Sequence, residues 1–154
     1  MSRYLVVLAA LALVLVGAPV SAQDTASKSF TGIPTTKNIW DGIYTDEQAA
    51  EGQTIYQGCV ECHQRQLEGD PSEGVPALAA PSFMVEWDGQ TVADLVRHIH
   101  TAPNDNPGDI DPATATSLTA FILNQNGVPP GQTPLSTDRA EQAKILFTER
   151  KPNP

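Results

Sequence analysis

The chain has 154 residues, nine lysines and arginines against eighteen aspartates and glutamates, and a formal charge of −9 at neutral pH. So acidic a chain has no electrostatic case for nucleic acid, while opposite fields speed encounter with a partner protein that carries a basic docking patch. With two cysteines in one short stretch and a length suited to one domain, a disulfide-stapled scaffold is excluded.

Arg3 precedes an unbroken apolar run from Leu5 to Val16, Pro19 breaks it, and Val20-Ser21-Ala22 puts small residues where a signal peptidase reads. Residues 1–22 therefore read as a secretory signal peptide cleaved after Ala22. The run is too short for a permanent membrane span, which needs about 20 apolar residues. The expected location is the periplasm. Loss of this segment removes one basic residue, Arg3, and no acidic one, so the mature chain is still more acidic.

Residues 23–44 are polar, with Gly32 and Pro34, and read as an extended N-terminal arm. Phe30, Ile33, Ile39, Trp40 and Ile43 predict that part of the arm packs on the domain at 45–154. Thr45-Asp46-Glu47-Gln48 has the form of a capping box, with Gln48 reaching back, so a first helix begins there. Ala49, Gly52 and Tyr56 follow at helical spacing, and the helix runs into the cysteines. Residues 64–81 are rich in Gly, Pro and acidic groups and read as a loop. A second helix is predicted over 91–100, with Val92, Leu95, Val96 and Ile99 on one face. Residues 103–112 form another loop. A third helix spans roughly 113–124, with Leu118, Phe121 and Ile122 inward and Gly127 shortly after its end. The last is placed at about 138–149, burying Ala143, Leu146 and Phe147. The fold class is all-α, with about four helices, long loops, and a core thin enough to need a large apolar group inside it.

That group is named by Cys59-Val60-Glu61-Cys62-His63, the C-x-x-C-H signature of covalent haem attachment. Residues three and four apart share a face of a helical turn. Both thiols are thereby brought to the two vinyl groups while His63 reaches the iron, giving one covalently attached haem c. A thioredoxin-type pair would want a strand leading into the cysteines, and none is predicted. A zinc site would need further ligands.

The stretch from Gly52 through Tyr56 to Cys59-x-x-Cys62-His63 resembles the first helix and haem motif of monohaem, class I-type cytochromes c. The segment from Phe83 through Trp87 and Leu95 to Pro107-Gly108, and Ala120 to Gly127, are similar to small cytochromes associated with periplasmic dehydrogenases. The resemblance covers roughly residues 45–132. It implies the cytochrome c fold, with the first helix crossing a later one, and Gly52 and Tyr56 suit that crossing. It implies a carrier of single electrons, as redox partner or subunit of a periplasmic dehydrogenase, and not an enzyme. Phe83, Trp87, Leu95, Ile99 and Phe121 are the candidates for the haem-packing wall.

The sequence departs from the family at one place. A Met-Pro pair follows the second helix in the family and supplies the sixth iron ligand, but here the chain reads Thr101-Ala102-Pro103-Asn104. His100, an open iron and Met84 are the three candidates, in that order. His98 and His100 lie 200° apart on the helical wheel at 100° per residue and cannot both face one iron. Imidazole in place of thioether lowers the reduction potential. An open iron is the alternative function: small-ligand binding or peroxidatic activity.

Overall fold

The computed structural model describes residues 34–102 and 110–151; the expected signal segment, the start of the expected arm with Phe30 and Ile33, and most of the loop after His100 lie outside them. The described chain is mostly helical: α1 (Asp46–Tyr56), α2 (Val60–His63), α3 (Pro81–Trp87), α4 (Val92–His100), α5 (Pro112–Gln125) and the single turn α6 (Arg139–Gln142). Two strands of two residues each, β1 (Lys37–Asn38) and β2 (Ile145–Leu146), pair in parallel, Lys37 opposite Ile145 and Asn38 opposite Leu146. Among the described residues no helix is long and apolar enough to cross a membrane.

The α1/α5 crossing is the most extensive contact between elements. It is possible because residue 52 is glycine: a Cβ there would lie 2.0 Å from the Ser117 carbonyl oxygen and 2.8 Å from Phe121 Cβ. One turn further on, the Tyr56 and Phe121 rings meet at 5.2 Å with a 45° tilt. Beside them, the Ser117 hydroxyl donates to the Glu51 carboxylate at 2.9 Å. The crossing expected of Gly52 and Tyr56 is therefore present, and its geometry is set by backbone approach.

Helix α4 lies on α5 with Val92, Leu95, Val96 and Ile99 buried, as its periodicity predicts. Thr91 caps it reciprocally: its hydroxyl accepts from Asp94 N at 3.3 Å, while the Asp94 carboxylate accepts from Thr91 N at 3.1 Å and Thr91 Oγ1 at 2.7 Å. The cap of α1 is only half of the predicted box. Thr45 Oγ1 accepts from Gln48 N, but the Gln48 side chain turns away and clamps Leu135, accepting from its N–H at 2.7 Å and donating to its carbonyl at 3.0 Å. A long-range backbone pair left without other partners outcompetes the local cap.

Two elements differ from expectation. Residues 81–87 form α3, opened by Pro81 at its first position, where a missing N–H costs nothing. The predicted helix over 138–149 lasts one turn and then extends. Ile145 and Phe147 are buried and Leu146 and Thr148 half-buried, a period of two rather than 3.6. The extended form gains partners on both sides. Phe147 N–H donates to Gln90 O at 2.8 Å, and the Phe147 carbonyl accepts from Gly89 N–H at 3.0 Å. On the other side, Asn38 bonds the Thr148 hydroxyl and the Trp40 indole donates to Thr148 O at 3.2 Å. The described end of the arm thus belongs to the core, with Ile39 and Tyr44 fully buried and the Tyr44 hydroxyl donating to Val128 O.

Candidate haem site

The chain leaves α1 through a tight turn, with Cys59 N–H bonded to Tyr56 O at 2.8 Å, and immediately winds one further helical turn. His63 N–H closes on Cys59 O at 2.9 Å and Gln64 N–H on Val60 O at 3.1 Å. These bonds place Cys59, Cys62 and His63 at i, i+3 and i+4 of one turn, on a shared face. Neither cysteine is in a disulfide; Cys62 is exposed and Cys59 half-buried. Burial, with the neighbouring Cys62 charge as a lesser cause, pushes the Cys59 thiol up from its ordinary value.

His63 Nδ1 lies 3.1 Å from the Pro76 carbonyl oxygen. A carbonyl can only accept, so Nδ1 carries a proton, and in the neutral ring Nε2 keeps its lone pair. This is the outer-shell arrangement that orients a metal-binding imidazole and raises its basicity. The loop that delivers the Pro76 carbonyl is wound back on the motif. Gln64 and Leu67 both have positive φ, 62° and 61°, an uncommon conformation for side-chain-bearing residues. Gly69 N–H returns to His63 O at 3.1 Å, and Leu78 N–H to Leu67 O at 2.7 Å. Gly69 has φ +66°, and a Cβ there would sit 2.5 Å from the Pro76 oxygen. Only glycine lets that carbonyl reach the imidazole. The Tyr56 hydroxyl donates to Gln64 O at 2.7 Å, tying the strained residue to α1. Burial above all, then the negative charges of Cys59 and Glu68, pushes the Tyr56 phenol up to about 12, which keeps it a neutral donor.

At the far end of the loop, Asn126 donates to Leu78 O at 2.9 Å and accepts from Ala80 N at 3.3 Å, so the loop is stitched to the end of α5. Pro76, Gly69 and Asn126 carry no haem signature of their own. Pro76 and Gly69 are two of several prolines and glycines in a loop, and only the folded chain shows which of them touch the motif.

The other predicted residues are placed as follows. Phe83, Trp87, Leu95, Ile99 and Phe121 all belong to one buried cluster, with Phe83 edge-on to Phe147 at 6.1 Å. His98 is exposed and edge-on to Trp87 at 5.4 Å. His100 is half-buried, and its Nδ1 bonds the Ile110 carbonyl. Met84 is buried on α3, lining a shallow pocket with Ala80, Gln125 and Asn126. A cavity of about 700 Å³ between the arm and residues 129–136 is lined by no residue of the motif. Among the described residues no three His, Cys, Asp or Glu side chains gather as a metal cluster, so the competing zinc arrangement lacks a ligand set there. Two unpaired thiols and one imidazole of fixed tautomer on a single turn, backed by an apolar core, are a donor set that fits haem c.

The family model for cytochrome c matches residues 49–126, from α1 to the end of α5. That is half of the chain, and the protein belongs to the cytochrome c family. It is accordingly an electron-carrying c-type cytochrome, of a family that holds covalent haem c and whose members are usually carriers rather than enzymes. No characterised protein and no solved structure matches the chain. The family match has no specific link to dehydrogenases.

Proposed function

We propose that the protein is a periplasmic, single-haem c-type cytochrome passing one electron at a time between partner proteins. The observation that carries this is the turn from Cys59 to His63, with both thiols free and the His63 Nε2 left open by the Pro76 carbonyl. In this reading Cys59 and Cys62 form the two thioethers and His63 is the proximal axial ligand. Bound there, the haem supplies a one-electron ferrous/ferric couple, reduced by a donor protein and reoxidised by an acceptor. The Pro76 carbonyl fixes the plane and tautomer of the imidazole. Phe83, Trp87, Leu95, Ile99 and Phe121 keep water away and lower the local dielectric. Exposed Glu61 within the motif and exposed Glu68 and Glu73 in the loop that follows it, in an acidic chain, favour a partner with a basic patch. The apolar run and small-residue end of residues 1–22 support the periplasm. The sequence resemblance supports a periplasmic dehydrogenase as that partner.

A second reading, small-ligand binding or peroxidatic chemistry at an open iron, is favoured by the absence of methionine from Thr101–Asn104. The first reading is tested by co-expression with a c-type maturation system and haem staining of a denaturing gel. Staining should persist in the unmodified protein and vanish when both Cys59 and Cys62 are replaced by serine. Undiminished staining in that double variant would refute covalent attachment at this motif. Electron uptake from a basic redox protein should slow as salt is added; a rate indifferent to salt removes the basic-patch partner.

A further inference from the structure

We infer that His100 is the second axial ligand, its Nε2 completing a bis-imidazole iron with His63; the inference rests on the haem reading above. Four observations carry it.

The first is a matched pair of imidazoles. His63 and His100 each have Nδ1 on a main-chain carbonyl, Pro76 and Ile110 respectively. Since a carbonyl only accepts, both rings are held as the Nδ1–H tautomer, with Nε2 presenting a lone pair. Among the described residues neither Nε2 has a hydrogen-bond partner. A histidine that ligates a metal characteristically gives its other N–H to such an acceptor.

The second is rigidity. His100 is the last residue of α4, and Thr101 caps the turn beneath it. The Thr101 hydroxyl donates to His98 O at 2.9 Å and Arg97 O at 3.2 Å, and its N–H serves the same carbonyls. A ligand on a fixed backbone, with its ring tied at one nitrogen, is preorganised.

The third is direction. Of the three basic residues in the last turn of α4, Arg97 and His98 are exposed while His100 is half-buried. Its acceptor Ile110 packs against the main apolar cluster, and its neighbour Ile99 is part of that cluster. His100 is thus the member of the turn that faces the fold.

The fourth is elimination. His98 is committed to the edge of Trp87 at the surface. Met84, on α3, lines a pocket shared with Gln125 and Asn126 and with neither His63 nor His100. The described lysines, Lys37, Lys144 and Lys151, lie on or beside the strand and tail segments, with Lys144 paired to Glu141.

The test uses the full haem-loaded protein, with covalent haem first confirmed by denaturing-gel stain. Ferric EPR and near-infrared magnetic circular dichroism of the unmodified protein should report low-spin, bis-imidazole iron, with no sulfur-to-iron band. His100→Ala should lose the low-spin signal entirely and regain it on adding imidazole. His100→Met should acquire the sulfur-to-iron band and a higher potential. His98→Ala and Met84→Leu should leave the spectrum unchanged. High-spin iron in the unmodified protein, a low-spin His100→Ala without added imidazole, or loss of the low-spin signal in Met84→Leu or His98→Ala would each overturn the inference. A bis-imidazole signature in the unmodified protein that persists in His98→Ala decides the matter even if a His100 variant does not fold, since the chain has three histidines. Absent covalent haem in the unmodified protein would bring down the haem reading as well, whereas any of the spectral failures leaves that reading standing.

Discussion

The α1/α5 crossing and the loop from Gln64 to Ala80 adjoin the same cysteine motif but are held by opposite means. At the crossing, side chains and one missing Cβ fix the geometry: Gly52 against Ser117, Tyr56 against Phe121. In the loop, main-chain groups do so, through carbonyls of His63, Leu67 and Pro76 and residues at positive φ. A crossing built from close packing has one good solution and tolerates little change. A loop built from directed carbonyls can shift an acceptor by a few tenths of an ångström without unfolding. The difference predicts that damage to the first shows as lost stability, and damage to the second as a changed iron environment.

The largest effect is expected from Gly52→Ala. A methyl group 2.0 Å from a backbone oxygen must separate the helices, and overpacking of this kind costs about 3 kcal/mol or more. Denaturant unfolding of the variant measures it; a midpoint equal to that of the parent would show that the crossing is soft. Next comes Thr91→Ala, which removes the α4 cap and strands part of the buried Asp94 carboxylate. The combined loss should be about 2 to 3 kcal/mol, seen as a lower unfolding midpoint with an unchanged haem spectrum.

Gly69→Ala sharpens the contrast. Its stability cost should be smaller, about 1 to 2 kcal/mol for the left-handed backbone. Displacing the Pro76 carbonyl should weaken the hold on His63 Nδ1, reduce the donor strength of the ring and raise the reduction potential. A potentiometric titration reads this, and an unaltered potential alongside the stability loss would confine Gly69 to a structural role. The smallest effect concerns the haem-free protein. The exposed Cys62 thiol should be alkylated before Cys59, whose thiol is half-buried and pushed up. Because the thiolate is the nucleophile, raising the pH should bring Cys59 forward. Peptide mapping after brief alkylation at two pH values checks both the order and the sign.

Some of this was legible in the chain. The haem motif is local, since three residues on one turn are specified by spacing alone. The buried face of α4 follows from period, because a helix against a core writes its face into the sequence; α5 is buried without a break from Ala115 to Leu123, wider than the face of Leu118, Phe121 and Ile122 that its spacing predicts. Gly52 was legible only in combination with Tyr56 and the motif. The tail from Ile145 to Phe147 was not, because Ala143, Leu146 and Phe147 fit a helical face as well as Ile145 and Phe147 fit a strand. Short apolar runs satisfy both periods.

What the sequence determined alone is therefore the attachment motif, the helical class and the absence of the expected methionine. What only the tertiary structure decided is which partners complete them. Gln48 leaves its own helix cap for Leu135, and the tail extends because Lys37–Asn38 and Gly89–Gln90 offer backbone on both sides. Pro76 and Ile110 become the acceptors for the two histidines. Each of these is a hydrogen bond between residues distant along the chain or across a loop. No local propensity encodes such a bond, and only the closing of the fold brings donor and acceptor within reach.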